Sequence, residues 1–170
     1  MDALILFSHG SLLCGSGEAL EAHAERLRQR GDFSRVEVGY LNYTEPSFAE
    51  AVARVAAAGA TRVTVAPYFL VTGYFVTTSL PREIEKAQAA HPQLTFTVAE
   101  ALGQDEALAN ALLESAAGAR GPEAWCDGLK RAALRCRPDP RCPLYGTENC
   151  PKVPVAPARE EDEGVVAARA

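Results

Sequence analysis

An α/β domain built on a small, mainly parallel four-stranded sheet is the fold class that this 170-residue chain predicts. Three observations carry the expectation. Ala3–Ser8 (ALILFS) is a short, continuously apolar run ending in a polar segment, the mark of a central parallel strand buried on both faces. Strand-like and helix-like patterns then alternate, which is the order of βαβ units with right-handed crossovers. With 48% hydrophobic residues the chain can also bury one good core.

Each element has its own signal. Ala3–Ser8 is the first strand. Gly15–Arg30 carries Leu20, Ala24 and Leu27 at helical spacing, with Glu and Arg on the other faces and Gly31 placed to cap its end. Arg35–Leu41 (RVEVGYL) alternates as a strand does and closes on Asn42, and the alanine-rich Pro46–Ala58 reads as a helix stopped by Gly59. Arg62–Pro67 (RVTVAP) is the third strand, Leu80–Ala90 a helix with Pro81 in its first turn, and Leu94–Glu100 the fourth strand. Beyond Gly103, Asp105–Ala117 reads as an amphipathic helix and Ala124–Leu134 as a short one.

From Arg135 to Pro154 periodicity gives way to prolines, glycine and cysteines. The chain therefore divides into an α/β domain over 1–120, a cysteine-rich helical and loop-like segment over 121–155, and an acidic tail over 156–170 that lacks core-forming residues. Cys126, Cys136, Cys142 and Cys150 form a C-x9-C-x5-C-x7-C pattern. Four thiolates in one short segment suit a soft metal centre, an iron–sulfur cluster of the 4Fe-4S kind or a structural zinc. Zinc sites usually gather close cysteine pairs, and none exists here. Two disulfides or free thiols are the other readings. The opening MDALILFSHG lacks a cationic signal-peptide n-region, and the cytoplasmic setting this suggests disfavours disulfides. Cys14 lies far from the set and reads as a small packing residue.

Charge and hydropathy exclude some partners. A formal net charge of −5, with no Lys/Arg-rich run interleaved with aromatics, gives no footprint for nucleic acid. No apolar stretch approaches the ~20 residues of a membrane span.

In open parallel sheets ligands gather outside the carboxyl ends of the strands, so the residues after each strand are where function is sought. Ser8-His9-Gly10-Ser11 places an imidazole at the tip of the first strand between small residues, as a ligand-binding or general-base group or as a histidine bonded into a turn. Asn42 to Ser47 comes after the second strand. There Glu45 is either a cleft carboxylate near His9 or an ordinary charge at a helix start. The run Pro67 to Val76, with Tyr68, Phe69, Gly73, Tyr74 and Phe75, is too apolar for an ordinary surface loop, and suits the wall of a pocket for a flat ligand, a dimer contact or a buried connection. His23 and His91 read as surface residues.

These three segments, SHGS, GYLNYTEPSF and PYFLVTGYFVTTSLP, resemble the small CbiX-type sirohydrochlorin chelatases, the class II family that inserts cobalt or iron into a tetrapyrrole. The resemblance runs over roughly residues 3 to 103. It implies a three-layer chelatase fold, a tetrapyrrole substrate, Co2+ or Fe2+ as the metal inserted, and a cleft completed by a homodimer partner or a second chelatase domain. It assigns metal binding and proton acceptance to His9. The family's second histidine, in a G-x-H-V pattern, falls at Phe75, which neither ligates metal nor moves protons. A family carboxylate falls at Asn42, leaving Glu45 as the substitute, and a further acidic position is Ser79.

The resemblance thus implies a chelatase with His9 and Glu45 as its catalytic pair, and Ser8, Gly10, Ser11, Asn42, Tyr68, Phe69, Gly73, Tyr74 and Phe75 around the macrocycle. The alternative is a catalytically silent tetrapyrrole- or metal-binding redox partner on the same fold. Some members of this broad family also carry C-terminal cysteine-bound iron–sulfur centres, which the present cysteine set resembles. Anaerobic purification should therefore yield a brown protein with about four iron atoms and about four acid-labile sulfides per chain, whereas a colourless, zinc-containing protein would overturn the cluster assignment.

Overall fold

The strands are held in a parallel sheet of order β2-β1-β3-β4. The computed structural model describes residues 1–11, 17–119 and 121. β1 (Asp2–Ser8) lies inside the sheet, pairing with β2 (Arg35–Tyr40) on one side and β3 (Arg62–Pro67) on the other. β4 (Thr95–Val98) pairs with β3 at the far edge. Because β1 has neighbours on both sides and helices on both faces, its middle residues Ala3 to Phe7 are all buried, and that is why it reads as an unbroken apolar run.

The pleat sorts side chains between two cores. Ala3, Ile5 and Phe7 join Val63 and Val65 beneath α2 (Phe48–Ala57) and α3 (Leu80–Ala90), which contribute Phe48, Ala51, Val52, Val55, Leu80 and Ala87. Phe7 and Phe48 meet edge to face at 5.5 Å. On the other face Leu4, Leu6, Val36, Val38 and Tyr40 pack on Leu20 and Ala24 of α1 (Glu18–Arg30). One charged side chain is buried in the sheet among the described residues: Glu37 on β2, held by Arg35 at 2.6 Å and Arg54 at 3.7 Å. The Tyr40 hydroxyl donates to the Gly17 carbonyl at 3.3 Å. Burial, with Glu21 nearby, pushes its pKa up to about 12.

Helix ends obey their local chemistry. α1 stops where Gly31 turns left-handed at φ 76° and its N–H donates to Leu27 O. α2 begins two residues after Pro46, because Ser47 and Glu50 form a reciprocal capping box. Phe75–Ser79, which the sequence leaves between the apolar run and the next helix, is a π-helical turn running directly into α3. β4 is shorter than expected. Its Phe96 leans on the α2/α3 core, while the hydroxyls of Thr64 and Thr97 lie 3.2 Å apart on the other face.

α4 (Glu106–Ala117) is capped by the Asp105 carboxylate at Ala107 N–H, 2.8 Å away. The amphipathic pattern expected there is not used as a core contact: α4 has no buried residue, and Leu112 and Leu113 are exposed. The first helix is expected from Gly15, and residues 12–16, with Cys14, lie outside the described residues, as do Ala124–Leu134, the four-cysteine segment and the tail. No helix among the described residues is long and apolar enough to cross a membrane.

Truncation of Phe48 to alanine should lower unfolding free energy by about 3–5 kcal/mol in urea titration, since it empties the centre of the larger core. A loss under about 1 kcal/mol would show that the core does not rest on this ring.

Candidate functional site

The strand ends of β1 and β3 bring one imidazole into an aromatic surround. The ladder between β1 and β2 continues past both strands: Leu41 N–H donates to Ser8 O and Asn42 N–H to His9 O, each at 2.9 Å. This brings the loop after β2 against the turn after β1. Gly10 stands at φ 84°, and a Cβ there would sit 1.8 Å from Asn42 O. Glycine is required twice over, for the left-handed backbone and for the close approach. Thr44 closes the turn, its hydroxyl accepting from Ser11 N–H at 3.0 Å and donating to Ser11 O at 3.2 Å. Tyr43, itself left-handed at φ 60°, puts its ring 5.9 Å from that of His9.

The tautomer of His9 is set by its partner. Its Nδ1 lies 3.0 Å from the Gly10 carbonyl, and a carbonyl only accepts. Nδ1 therefore carries the hydrogen, and Nε2 of the neutral ring keeps its lone pair for a metal or a proton. Phe75 packs against the imidazole with ring centroids 4.3 Å apart. Phe69 stacks on Phe75 at 6.1 Å and touches Phe7 at 5.9 Å, so the aromatic wall is continuous with the core.

That wall is anchored from below. Leu102 N–H donates to Phe69 O at 2.8 Å, and Gly103 lies so close to Leu70 O that a Cβ would stand 1.6 Å from it. On the other side Gly73 O accepts from the N–H groups of Val76 and Thr77, both at 3.0 Å, starting the turn that delivers Phe75. Tyr74 is exposed beside it, 6.1 Å from Phe75.

The structure brings His9, Gly10, Ser11, Asn42, Phe69, Gly73 and Phe75 to the strand-end region, together with Tyr43, Thr44 and Gly103. Tyr43 is legible in the sequence only as part of a loop, and its turn back toward His9 depends on a φ that nothing but the fold specifies. Two residues stand differently. Glu45 precedes the cis bond to Pro46, is exposed, and makes no hydrogen bond or ion pair among the described residues, so it is neither bonded to His9 nor part of the helix cap. Tyr68 alternates away from Phe69, onto the α1 face, where its ring lies 5.7 Å from His23. His23, which the sequence presents as a plain surface residue, is thereby part of a groove; His91 is half-buried at the end of α3.

That groove, of about 660 Å³, runs between α1 and α4, over Leu6 and Ala66, with Tyr68 at its upper end and His23, Arg26 and Arg30 along one wall. No group of three His, Cys, Asp or Glu side chains converges among the described residues. His9 is the imidazole of the strand-end site.

Comparison with known proteins gives a consistent result. The CbiX family matches residues 3–119. A sirohydrochlorin cobaltochelatase of Methanocaldococcus jannaschii is 40% identical over 82 residues, covering 48% of this chain and 57% of that protein. A sirohydrochlorin ferrochelatase of Priestia megaterium is 29% identical over 114 residues, covering 67% of this chain and 43% of that protein. The chain thus spans about half the length of these curated relatives. Among solved structures, a CbiX protein of cobalamin biosynthesis from Marinobacter aquaeolei VT8 superposes with TM-score 0.60 at 28% identity, covering 69% of this chain and 96% of that one. The sirohydrochlorin chelatase SirB of Bacillus subtilis subspecies spizizenii, in complex with cobalt, gives 0.63 at 23% identity, covering 66% and 48%, a likeness of fold.

Replacing Gly10 with alanine should destabilise the protein by about 3 kcal/mol, through strain and overpacking, and displace the Asn42 loop. Urea titration together with loss of the Asn42 amide protection in hydrogen exchange would read this. A variant with unchanged stability and protection would show that the turn does not depend on the glycine.

Proposed function

The chain belongs to the CbiX family, and from that premise we propose that it inserts divalent cobalt or iron into sirohydrochlorin. The observation that carries the reading is His9: an imidazole with Nδ1 committed to Gly10 O and Nε2 left with its lone pair, set at a strand end beside the flat wall of Phe69 and Phe75. Insertion needs an incoming ion partly stripped of water, a macrocycle held flat, and bases for the pyrrole protons. Nε2 of His9 serves the ion or one proton. Tyr43, Phe69 and Phe75 supply ring faces for the macrocycle, and Ser8, Gly10, Ser11, Asn42 and Gly73 the close backbone around it. Glu45, on the same loop as Tyr43, is the carboxylate nearest in sequence for the remaining proton transfer.

Phe75 supports a second reading. It packs on His9 where the family pattern has its other histidine, so this site has half the usual imidazole complement. A domain that binds the tetrapyrrole or the metal without inserting it would fit that substitution. In either case the exposed Tyr43, Val71 and Tyr74 suit a covered cleft, completed by a second copy of the chain or a second chelatase domain.

The cysteine-rich segment over 121–155 is an accessory centre in this proposal, with Cys126, Cys136, Cys142 and Cys150 as ligands to a 4Fe-4S cluster. The support is the chemistry of the donor set: four soft thiolates, without the close pairs of a zinc site. When bound, such a cluster supplies one-electron chemistry or a structural tie. A reducing cytoplasmic setting keeps those thiols available.

The test is cobalt insertion by the full chain, monitored by the absorbance change of sirohydrochlorin. His9→Ala should lower the rate by about 100-fold or more, the usual scale of a lost acid–base or ligating group, and Phe75→His should raise it by roughly tenfold. Equal activity in wild type and His9→Ala would remove His9 from the chemistry. If neither inserts metal while both bind the macrocycle, the binding-protein reading stands instead.

A further inference from the structure

Sirohydrochlorin carries acetate and propionate side chains around its whole rim, so a site that holds it flat must also answer a ring of negative charge. The strand-end site offers little for that. The segments 8–11, 40–47 and 67–79, which form its turns and aromatic wall, contain no lysine or arginine. Basic and imidazole side chains stand on the helices on either side of the sheet, Arg82 in the first turn of α3 and His23 and Arg26 on α1.

The α1 side has the features of a recognition surface. Tyr68 joins it to the aromatic wall: it is the neighbour of Phe69, its N–H donates to Phe7 O at 2.7 Å, and its ring lies 5.7 Å from His23. Below it the groove between α1 and α4 has an apolar floor of Leu6 and Ala66. Arg28 and Arg30 are engaged by Glu21, Glu25 and Asp32. Arg26, by contrast, lines the groove and pairs with no carboxylate among the described residues. Its guanidinium lies 3.3 Å from Nδ1 of His23. A guanidinium only donates, so His23 Nδ1 is the acceptor and its Nε2 carries the hydrogen. Arg26, His23 and the Tyr68 hydroxyl can thus each donate into the groove, over an apolar floor, while the Asp105 carboxylate that also lines it is occupied in capping α4 at Ala107 N–H.

We propose that this groove receives the acidic side chains along one edge of the macrocycle held at His9, with Arg26 as the cation that selects a tetrapyrrole acidic around its full rim. The inference rests on the chelatase reading and deepens it, naming a residue that sets substrate preference without taking part in insertion. Arg26 is a specificity residue: its loss weakens binding and leaves the rate of the bound complex intact.

The test uses the full chain and a macrocycle that reports its own binding, uroporphyrin, which bears acetate and propionate on every pyrrole. Affinity is read by its absorbance and fluorescence at low and high salt, and kcat and KM are read separately with sirohydrochlorin and cobalt. Arg26→Glu should weaken uroporphyrin binding by roughly tenfold at low ionic strength and by less at high salt, as expected of an exposed charge contact. KM should rise with kcat unchanged. Arg26→Gln, which keeps a hydrogen-bond donor but not the charge, should fall between. Lys86→Glu makes the same change of net charge on the opposite helical layer and should leave affinity within about twofold, because screening weakens distant charges. Equal binding by Arg26→Glu and wild type would overturn the assignment, as would a loss seen with Arg82→Glu and not with Arg26→Glu, which would put the acidic edge over α3. If wild type binds no tetrapyrrole at all, the chelatase reading itself fails and this inference with it. Circular dichroism of each variant identifies any loss that comes from unfolding.

Discussion

Gly10 must lie against the carbonyl of Asn42, and the site hangs on that contact. The left-handed turn at Gly10 brings the chain from the end of β1 across the end of β2, where Asn42 N–H reaches His9 O and Thr44 closes on Ser11. The same turn presents the Gly10 carbonyl to the His9 ring, which sets the imidazole's tautomer and leaves Nε2 open. A side chain at this position would break both arrangements at once. Backbone geometry, more than any side-chain network, decides what the histidine offers.

The placing of Phe75 depends on a second close approach on the other side of the sheet's end. Gly103 against Leu70 O, with Leu102 N–H on Phe69 O, pins the long apolar segment after β3 so that alternation sends Phe69 one way and Tyr68 the other. The π-helical turn then carries Phe75 onto His9. One segment thereby serves two surfaces: an aromatic wall facing the histidine, and a tyrosine at the head of the α1–α4 groove. That division explains why a run of apolar residues survives at the protein's surface, with Leu70, Val71 and Tyr74 largely exposed.

Most of the fold is legible in the sequence because its signals are local and mutually consistent. β1 is a continuous apolar run since both its faces are covered, β3 alternates between Val63, Val65 and the less buried Thr64 and Ala66, and Gly31 ends α1 in the conformation glycine favours. Ser47 and Glu50 carry a capping box that fixes the start of α2 more sharply than alanine content could. The site is legible at His9, Gly10 and the aromatic run, where chemistry and position coincide. It is not legible at Tyr43, whose orientation depends on a positive φ in a loop, nor in the groove, where His23 meets Tyr68, distant in sequence, and Arg26 lies beside His23. Helical spacing marks them correctly as outside the core of α1, and periodicity has nothing to say about which outer face meets another element. At α4 the helix expected from the sequence is present, with Ala107, Leu108 and Ala111 along the α1–α4 groove and no residue fully buried among the described residues.

For the proposed metal insertion, the single imidazole constrains the chemistry further. Metal insertion releases a pair of pyrrole protons, and a neutral His9 takes up one at most, and none while its Nε2 lone pair is on the ion. Phe75 takes up nothing. The balance must come from Glu45, from water reaching the exposed rim, or from groups on whatever covers the site. Among these, Glu45 alone is tied in sequence to the loop that the Gly10 contact holds, and it has no hydrogen-bond or ion-pair partner among the described residues. Its exposure, however, leaves it in water and unheld by the turn. A site of this composition therefore favours the ion step over the proton step. Its histidine is well prepared to hold metal, while proton removal falls to groups that the strand-end turn does not orient.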